Sequence, residues 1–119
     1  MVKLQSPSAM EKLEQLSFFI SRVASDARLR PTHTSLYLAL CNAWSASQVR
    51  DAFHVSRRRL MFAAHIRSIA TYHKVIGDLQ AFGYLDYWPS YHPVKGSRVR
   101  VKVPGRSFDI SAPPFYVAA

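Results

Sequence analysis

The apolar positions of this chain follow helical spacings over its first two thirds and alternate with polar positions towards its end. Residues 10–28 carry apolar side chains at intervals of three and four, which predicts an amphipathic helix capped by Ser8. These apolar positions are Leu13, Leu16, Ile20 and Val23. Phe18 and Phe19 widen the apolar face. The helix is therefore expected either to pack on the rest of the domain or to form a dimer interface.

A second helix is expected to follow Pro31 and to run to about Ser45, with Thr32 or Thr34 as its cap. Leu36, Leu40 and Trp44 share one face, and further apolar residues beside them predict a helix buried on more than one side. The segment 52–55, Ala-Phe-His-Val, favours a short strand that pairs with the C-terminal hairpin.

Two further helices are predicted in the middle of the chain. The first is short and begins near Ser56, with an apolar side made of Leu60, Met61, Ala63 and Ala64. The second begins at Ser68, and its core-facing residues are expected to be Tyr72, Ile76, Leu79 and Phe82. The other side of this second helix then faces solvent.

The residues from Arg98 to Val103 alternate strictly between basic and valine side chains. Side chains alternate between the two faces of a strand, so one face is apolar and the other is cationic. Residues 85–88 form the partner strand, and residues 89–97 are rich in turn formers. A β-hairpin with one basic face follows. Basic residues on an exposed edge strand also discourage aggregation, which is the alternative interpretation of the pattern.

This order of elements predicts a mostly α protein with a small β-hairpin wing, in the α+β class. It is typical of a winged helix-turn-helix. An extra N-terminal helix (1–28) precedes the DNA-binding domain (29–103), and an irregular tail rich in proline and aromatic residues (104–119) follows it. In such a fold one helix enters the DNA major groove and the wing reaches the neighbouring backbone or minor groove.

The charge of the chain points to a polyanionic partner. The 119 residues carry a net charge of +9, and the segment from Arg50 to Arg106 contributes +8 of it. A nucleic acid fits better than an anionic membrane, because no long basic amphipathic helix is present. The single cysteine, Cys41, excludes an internal disulfide, so the chain fits a reducing cytoplasm. No apolar run has the length of a membrane span.

Three groups of residues are predicted to contact DNA. The exposed start of the second of the two middle helices would read the major groove with Arg67, Ser68, Thr71, His73 and Lys74. The wing would contribute Tyr91, His92, Lys95, Ser97, Arg98, Arg100 and Lys102. Arg57, Arg58 and Arg59 oppose the dipole of the short helix, and a phosphate bound at its N-terminus would offset that cost. Each of two assignments has an alternative without DNA: a solvent-exposed run for the three arginines, and a surface ion pair with Asp78 for Lys74.

Four motifs carry a resemblance to a known family. They are Thr34-Ser-Leu-Tyr-Leu-Ala-Leu, Thr71-Tyr-His-Lys followed by Asp78-Leu, Phe82-Gly-Tyr-Leu, and Pro89-Ser-Tyr-His-Pro-Val-Lys-Gly-Ser. With these motifs the segment from about Leu29 to Val103 resembles small winged-helix DNA-binding proteins carried on bacterial mobile genetic elements. The resemblance implies a DNA-binding fold and a transcriptional regulator, or a replication or excision accessory factor. The chain departs from the family pattern at Arg58, Arg59, Arg67 and Ile69, so a shared target sequence does not follow.

Other chemistry finds little support in the sequence. Five scattered histidines and one cysteine do not form a metal-ligand set, and neither cofactor nor metal is expected. Phosphate-binding loops, nucleophile motifs and clustered carboxylates are also missing, which argues against an enzyme. Two alternatives to duplex binding stay open. One is a protein-interaction module that binds an acidic surface of a partner, suggested by the apolar Ile69 together with the aromatic C-terminal tail. The other is a binder of single-stranded or structured nucleic acid that stacks bases on Trp88 and Tyr91.

Overall fold

The computed structural model describes residues 8–47, 51–90 and 96–102. They form four helices, α1 (Ala9–Ser25), α2 (Pro31–Ser47), α3 (Arg57–Ala64) and α4 (Ile69–Ala81). Three strands, β1 (Phe53–Val55), β2 (Leu85–Trp88) and β3 (Ser97–Val101), make an antiparallel sheet in the order β1-β3-β2. The predicted α+β composition, mostly helical with a small sheet, is confirmed.

Serine side chains begin three of these helices as the sequence predicts. Ser8 and Glu11 form a reciprocal capping box at α1, and Ser56 and Ser68 cap α3 and α4. The cap predicted for α2 is wrong. Pro31 is the first residue of α2, so Thr32 and Thr34 both lie inside its first turn. A proline suits that position because its φ is already helical and it has no N–H to satisfy.

Two helix boundaries differ from the prediction. α1 ends at Ser25 rather than near residue 28, since Asp26 is extended and its N–H bonds to the carbonyl of Arg22. α2 continues to Ser47, two residues beyond the predicted end.

The core lies between α2, α4 and the inner face of the sheet. Val99 and Val101 point into it, and Val99 pairs with Phe53 of the predicted short strand. Val103 lies outside the described residues. The largest fully buried side chains are Tyr37, Tyr72, Tyr84, Phe19, Leu36, Leu40, Leu79 and Leu85. Alternation along β3 therefore leaves its basic residues on the outer face.

Phe19 is the buried residue of α1, and Phe18 and Val23 also pack against this core. The Phe19 ring stacks on the Tyr37 ring with centroids 3.8 Å apart and meets Tyr84 edge-on. Leu13 and Ile20, members of the predicted apolar stripe, are instead more than half exposed. The side of α1 that faces the core is thus set by Phe19.

A buried carboxylate fixes the end of α1. Asp26 accepts two hydrogen bonds of 2.8 Å from the Arg28 guanidinium and one of 2.7 Å from the Tyr84 hydroxyl. The Arg28 bonds, and after them the Tyr84 bond, hold the pKa of Asp26 well below its usual range, although burial acts in the opposite direction. This contact ties α1 to the residue that precedes β2.

A tight turn sets the angle between α3 and α4. His65 adopts the left-handed conformation with φ 62°, and Ile66 after it donates its N–H to the Met61 carbonyl and buries its side chain. The Ser35 hydroxyl of α2 donates to the Ala64 carbonyl at 2.7 Å. These contacts hold the turn between α3 and α4 against α2, and so fix where α4 begins.

Candidate nucleic-acid interface

The outer side of α4 carries the residues that the sequence predicts for groove reading. Tyr72, Val75, Ile76 and Leu79 face the core, which leaves Arg67, Thr71, His73 and Lys74 exposed. The Ser68 hydroxyl accepts the N–H of Thr71 at 3.2 Å, so this side chain serves as the helix cap. The five predicted residues therefore lie on or just before the first two turns of one helix.

Lys74 is already paired. Its ammonium group donates to both carboxylate oxygens of Asp78 at 3.1 Å. The surface ion pair that was the alternative to a DNA contact for Lys74 is therefore present. Asp78 also lies 2.9 Å from Nε2 of the buried His33. Because His33 Nδ1 accepts the Arg30 N–H, Nε2 carries the proton donated to Asp78. The His33 bond and then the Lys74 bond lower the pKa of Asp78.

Three consecutive arginines occupy the first turn of α3. Arg57, Arg58 and Arg59 are all exposed, and within the described part of the chain none of them forms an ion pair with an acidic side chain. They directly follow Ser56, whose hydroxyl accepts the N–H of Arg59 at 3.3 Å. Arg67 is exposed and lacks an acidic partner in the same described residues. The start of α3 thus concentrates uncompensated positive charge.

Two large apolar side chains lie on the same helix pair. Phe62 of α3 is 85% exposed, and Ile69 in the first turn of α4 is 50% exposed. Phe62 lines a shallow open depression together with Ser56, Arg58 and Arg59. An exposed aromatic ring therefore lies beside the basic first turn of α3.

The outer face of the sheet is less cationic than its sequence implies. Arg100 of β3 donates to Asp86 of β2 at 3.0 and 3.2 Å and to Asp51 at 3.2 Å. The Lys102 ammonium lies 3.1 Å from the same Asp86 carboxylate. Burial alone would raise the pKa of Asp86, but the bonds from Lys102 and Arg100 lower it. Two of the three cations on this face are thus compensated by two carboxylates.

Arg98 is the remaining cation of β3, and it belongs to an aromatic cluster. It lies directly opposite Trp88 in the strand register, and its guanidinium carbon is 5.2 Å from the indole ring. Arg100 approaches the same ring at 5.5 Å. The Trp88 ring is thereby flanked by two guanidinium groups.

The residues expected at the hairpin tip divide into two groups. Ser97 is described, and its hydroxyl accepts hydrogen bonds from Tyr87 and from the Ser90 N–H within the hairpin. Tyr91, His92 and Lys95 lie outside the described residues.

Sequence reasoning missed two features of this surface. It did not predict that Asp86 lies opposite Arg100. If the apolar Leu85 and Val101 are paired across the antiparallel hairpin, the next pair is Asp86 and Arg100. It also passed over Phe62, which lies on the opposite side of α3 from the buried Leu60 and Ala64. Ala63, predicted to be part of the apolar side, is likewise exposed.

Other kinds of site find no support among the described residues. They contain no cluster of three histidine, cysteine or acidic side chains that could hold a metal ion. Burial raises the pKa of the Cys41 thiol to about 12, so this cysteine stays protonated. Within the same residues, every helix falls short of the length and apolarity needed to cross a membrane.

Comparison of the chain with protein-family models, with curated proteins and with solved structures gave no match.

Proposed function

We propose that this protein is a winged-helix DNA-binding protein that recognises duplex DNA by sequence. The order of elements after α1 supports the fold: a helix, a short strand, two helices joined by a tight turn, and an antiparallel hairpin. The strand order β1-β3-β2 fits as well, because β1 pairs with the hairpin and joins it to the helices.

The observation that carries the proposal is a set of exposed arginines, at the start of α3 and at Arg67, for which the described part of the chain provides no acidic partner. Such uncompensated charge attracts a polyanion, and phosphate contacts supply most of the affinity of a DNA-binding protein. The first turn of α3 adds the positive end of a helix dipole and the N–H groups of Arg57 and Arg58, which have no carbonyl partner within the helix. These arginines are therefore assigned to the DNA backbone.

The outer side of α4 is assigned to base recognition. Thr71 and His73 are exposed and lie on its first two turns, where a recognition helix contacts base edges. Ile69 offers an apolar group that can contact a thymine methyl. Arg98 is assigned to the backbone beside the wing, whereas Arg100 and Lys102 have a smaller role because they are paired.

A role as a transcriptional regulator, or as a replication or excision factor of a mobile element, follows from the family resemblance and is part of the proposal. Selection from random duplexes at physiological salt tests it. An enriched sequence motif that binds far more tightly than random DNA is expected. Uniform weak recovery of all sequences would contradict sequence-specific binding.

A protein-interaction module is the second candidate, favoured by one observation. Ile69 and Phe62 are apolar, exposed and close in sequence to arginines, as in surfaces that bind acidic partners. A stable protein complex, together with duplex affinity no higher than the nonspecific level, would support this candidate over DNA recognition.

A further inference from the structure

We infer that Phe62 is a stacking platform for an unpaired base, so that the protein binds a duplex with a single-stranded extension more tightly than the blunt duplex. This inference rests on the proposed nucleic-acid function and names a more specific ligand for the same basic surface.

Phe62 presents its ring to solvent. Its side chain is 85% exposed, which leaves the ring open to a partner, and it protrudes from α3 opposite the buried Leu60 and Ala64. An aromatic ring in this position gives nothing to the core of the monomer. It has the shape and the flat face that a nucleobase requires for stacking.

The positive charge beside the Phe62 ring favours an anionic ligand. Arg58 and Arg59 precede Phe62 by four and three residues, so they lie on the same side of α3, about 5–6 Å away between Cβ atoms. The three side chains line one shallow depression with Ser56. Neither arginine has an acidic partner among the described residues. A nucleotide carries both the anion and the flat ring that this surface complements.

The ligand base must be unpaired. Bases in a duplex are stacked on one another and show only their edges in the grooves, so a protruding ring reaches their faces only by unstacking a base step, which costs free energy. Bases in a single-stranded segment can unstack and lie on an aromatic side chain. The proposed ligand is therefore a single-stranded extension or gap beside the bound duplex.

Trp88 is the aromatic residue that the sequence favours for this role, and its surroundings differ. It is 41% exposed, and the guanidinium groups of Arg98 and Arg100 already approach its ring. A base would have to displace them. Phe62 has the more accessible face of the two.

The test compares two probes in fluorescence anisotropy titrations of the full chain. One is a blunt duplex of about 20 base pairs, and the other is the same duplex with a thymine extension of about four nucleotides. The wild type is expected to bind the extended probe about tenfold more tightly, the fold-change that stacking of one base typically provides. The Phe62→Ala variant should lose this difference and keep its affinity for the blunt duplex.

Two further substitutions separate stacking from general apolar contact. Phe62→Trp keeps a flat aromatic face and should retain the preference, whereas Phe62→Leu keeps apolar volume without that face and should lose it. Trp88→Ala serves as the matched control, and its ratio of affinities for the two probes should equal that of the wild type. Thermal unfolding of each Phe62 variant should match the wild type, because the side chain is exposed.

The outcomes separate this inference from the proposed function. Equal affinity of the wild type for both probes, or a preference retained by Phe62→Leu, would overturn the inference and leave duplex recognition standing. A preference for the extended probe that depends on Phe62, in a protein with no sequence-selective duplex binding, would support the inference and contradict the proposed function. Absence of binding to either probe would overturn both.

Discussion

Asp86 and Arg100 stand directly opposite each other on β2 and β3, and the guanidinium donates two hydrogen bonds to the carboxylate at 3.0 and 3.2 Å. Lys102 shares the same carboxylate. The basic face of the sheet is therefore partly neutralised, whereas Arg57, Arg58, Arg59 and Arg67 have no acidic partner within residues 8–47, 51–90 and 96–102.

This pairing predicts different effects for two arginine substitutions. Arg58→Ala should reduce the salt dependence of duplex binding by about one unit in the slope of log K against log salt, because one free phosphate contact is lost. Arg100→Ala should change that slope much less, because the Arg100 guanidinium is already paired with Asp86 and Asp51 and makes a smaller contribution to phosphate contacts. Anisotropy titrations at several salt concentrations measure both. A larger effect of Arg100→Ala would show that the pairing does not persist in the complex.

The buried Asp26 carboxylate should make the protein less stable at acidic pH. Its pKa in the folded protein lies below the ordinary aspartate value of 3.8, so its contribution is complete above that value and is lost as the pH falls through the lower folded value. Asp26→Asn should lower the free energy of unfolding near neutral pH by about 2 kcal/mol. The variant should also weaken the dependence on pH below 3.8.

Denaturant unfolding between neutral and strongly acidic pH measures this effect. Asp51→Asn is the control, because Asp51 is exposed and bonds only to Arg100 among the described residues. The role assigned to Asp26 fails if Asp26→Asn and Asp51→Asn have the same small effect at neutral pH.

His65 lies in the turn between α3 and α4 with a positive φ. A residue with a Cβ atom is disfavoured there by about 1 kcal/mol or more, whereas glycine is not. His65→Gly should therefore raise the free energy of unfolding by about 1 kcal/mol. His65→Ala keeps the Cβ atom and should give no such gain, and thermal unfolding distinguishes the two. Equal stability of the two variants would contradict a conformational cost at this turn.

Gly96 marks a close approach between the hairpin and β1. A Cβ atom added there would lie 2.5 Å from the carbonyl oxygen of Val55, and its φ of +71° is one that other residues rarely adopt. Gly96→Ala should thus lower the free energy of unfolding by about 2 kcal/mol. Gly77 on α4 has no atom within 4 Å of such a Cβ, so Gly77→Ala should stabilise the protein by about 0.5–1 kcal/mol. Similar effects of the two substitutions would refute the steric argument.

Local rules predicted much of the fold. Ser8, Ser56 and Ser68 begin helices because their hydroxyls accept backbone N–H groups within the next turn, which depends only on neighbouring residues. Alternation along β3 placed Val99 and Val101 in the core for the same local reason.

The remaining features depend on contacts between distant residues. Asp26 meets Tyr84, and His33 meets Asp78, only after the helices have packed. The orientation of α1 likewise follows from the place that Tyr37 and Tyr84 leave for Phe19, whereas its heptad-like spacing alone favoured Leu13 and Ile20. A pattern of basic residues reveals charge, but the register between β2 and β3 decides how much of that charge is free.

The most direct test of the central claim is a salt titration of duplex binding with the wild type and a variant in which Arg57, Arg58 and Arg59 are replaced by alanine. If the wild type neutralises about six phosphates, its slope of log affinity against log salt should be near −5, and the variant should be shallower by about three units. Thermal unfolding should show the variant to be no less stable, because the three arginines oppose the dipole of α3. An unchanged slope in the folded variant, or a wild type whose affinity ignores salt, would contradict the account.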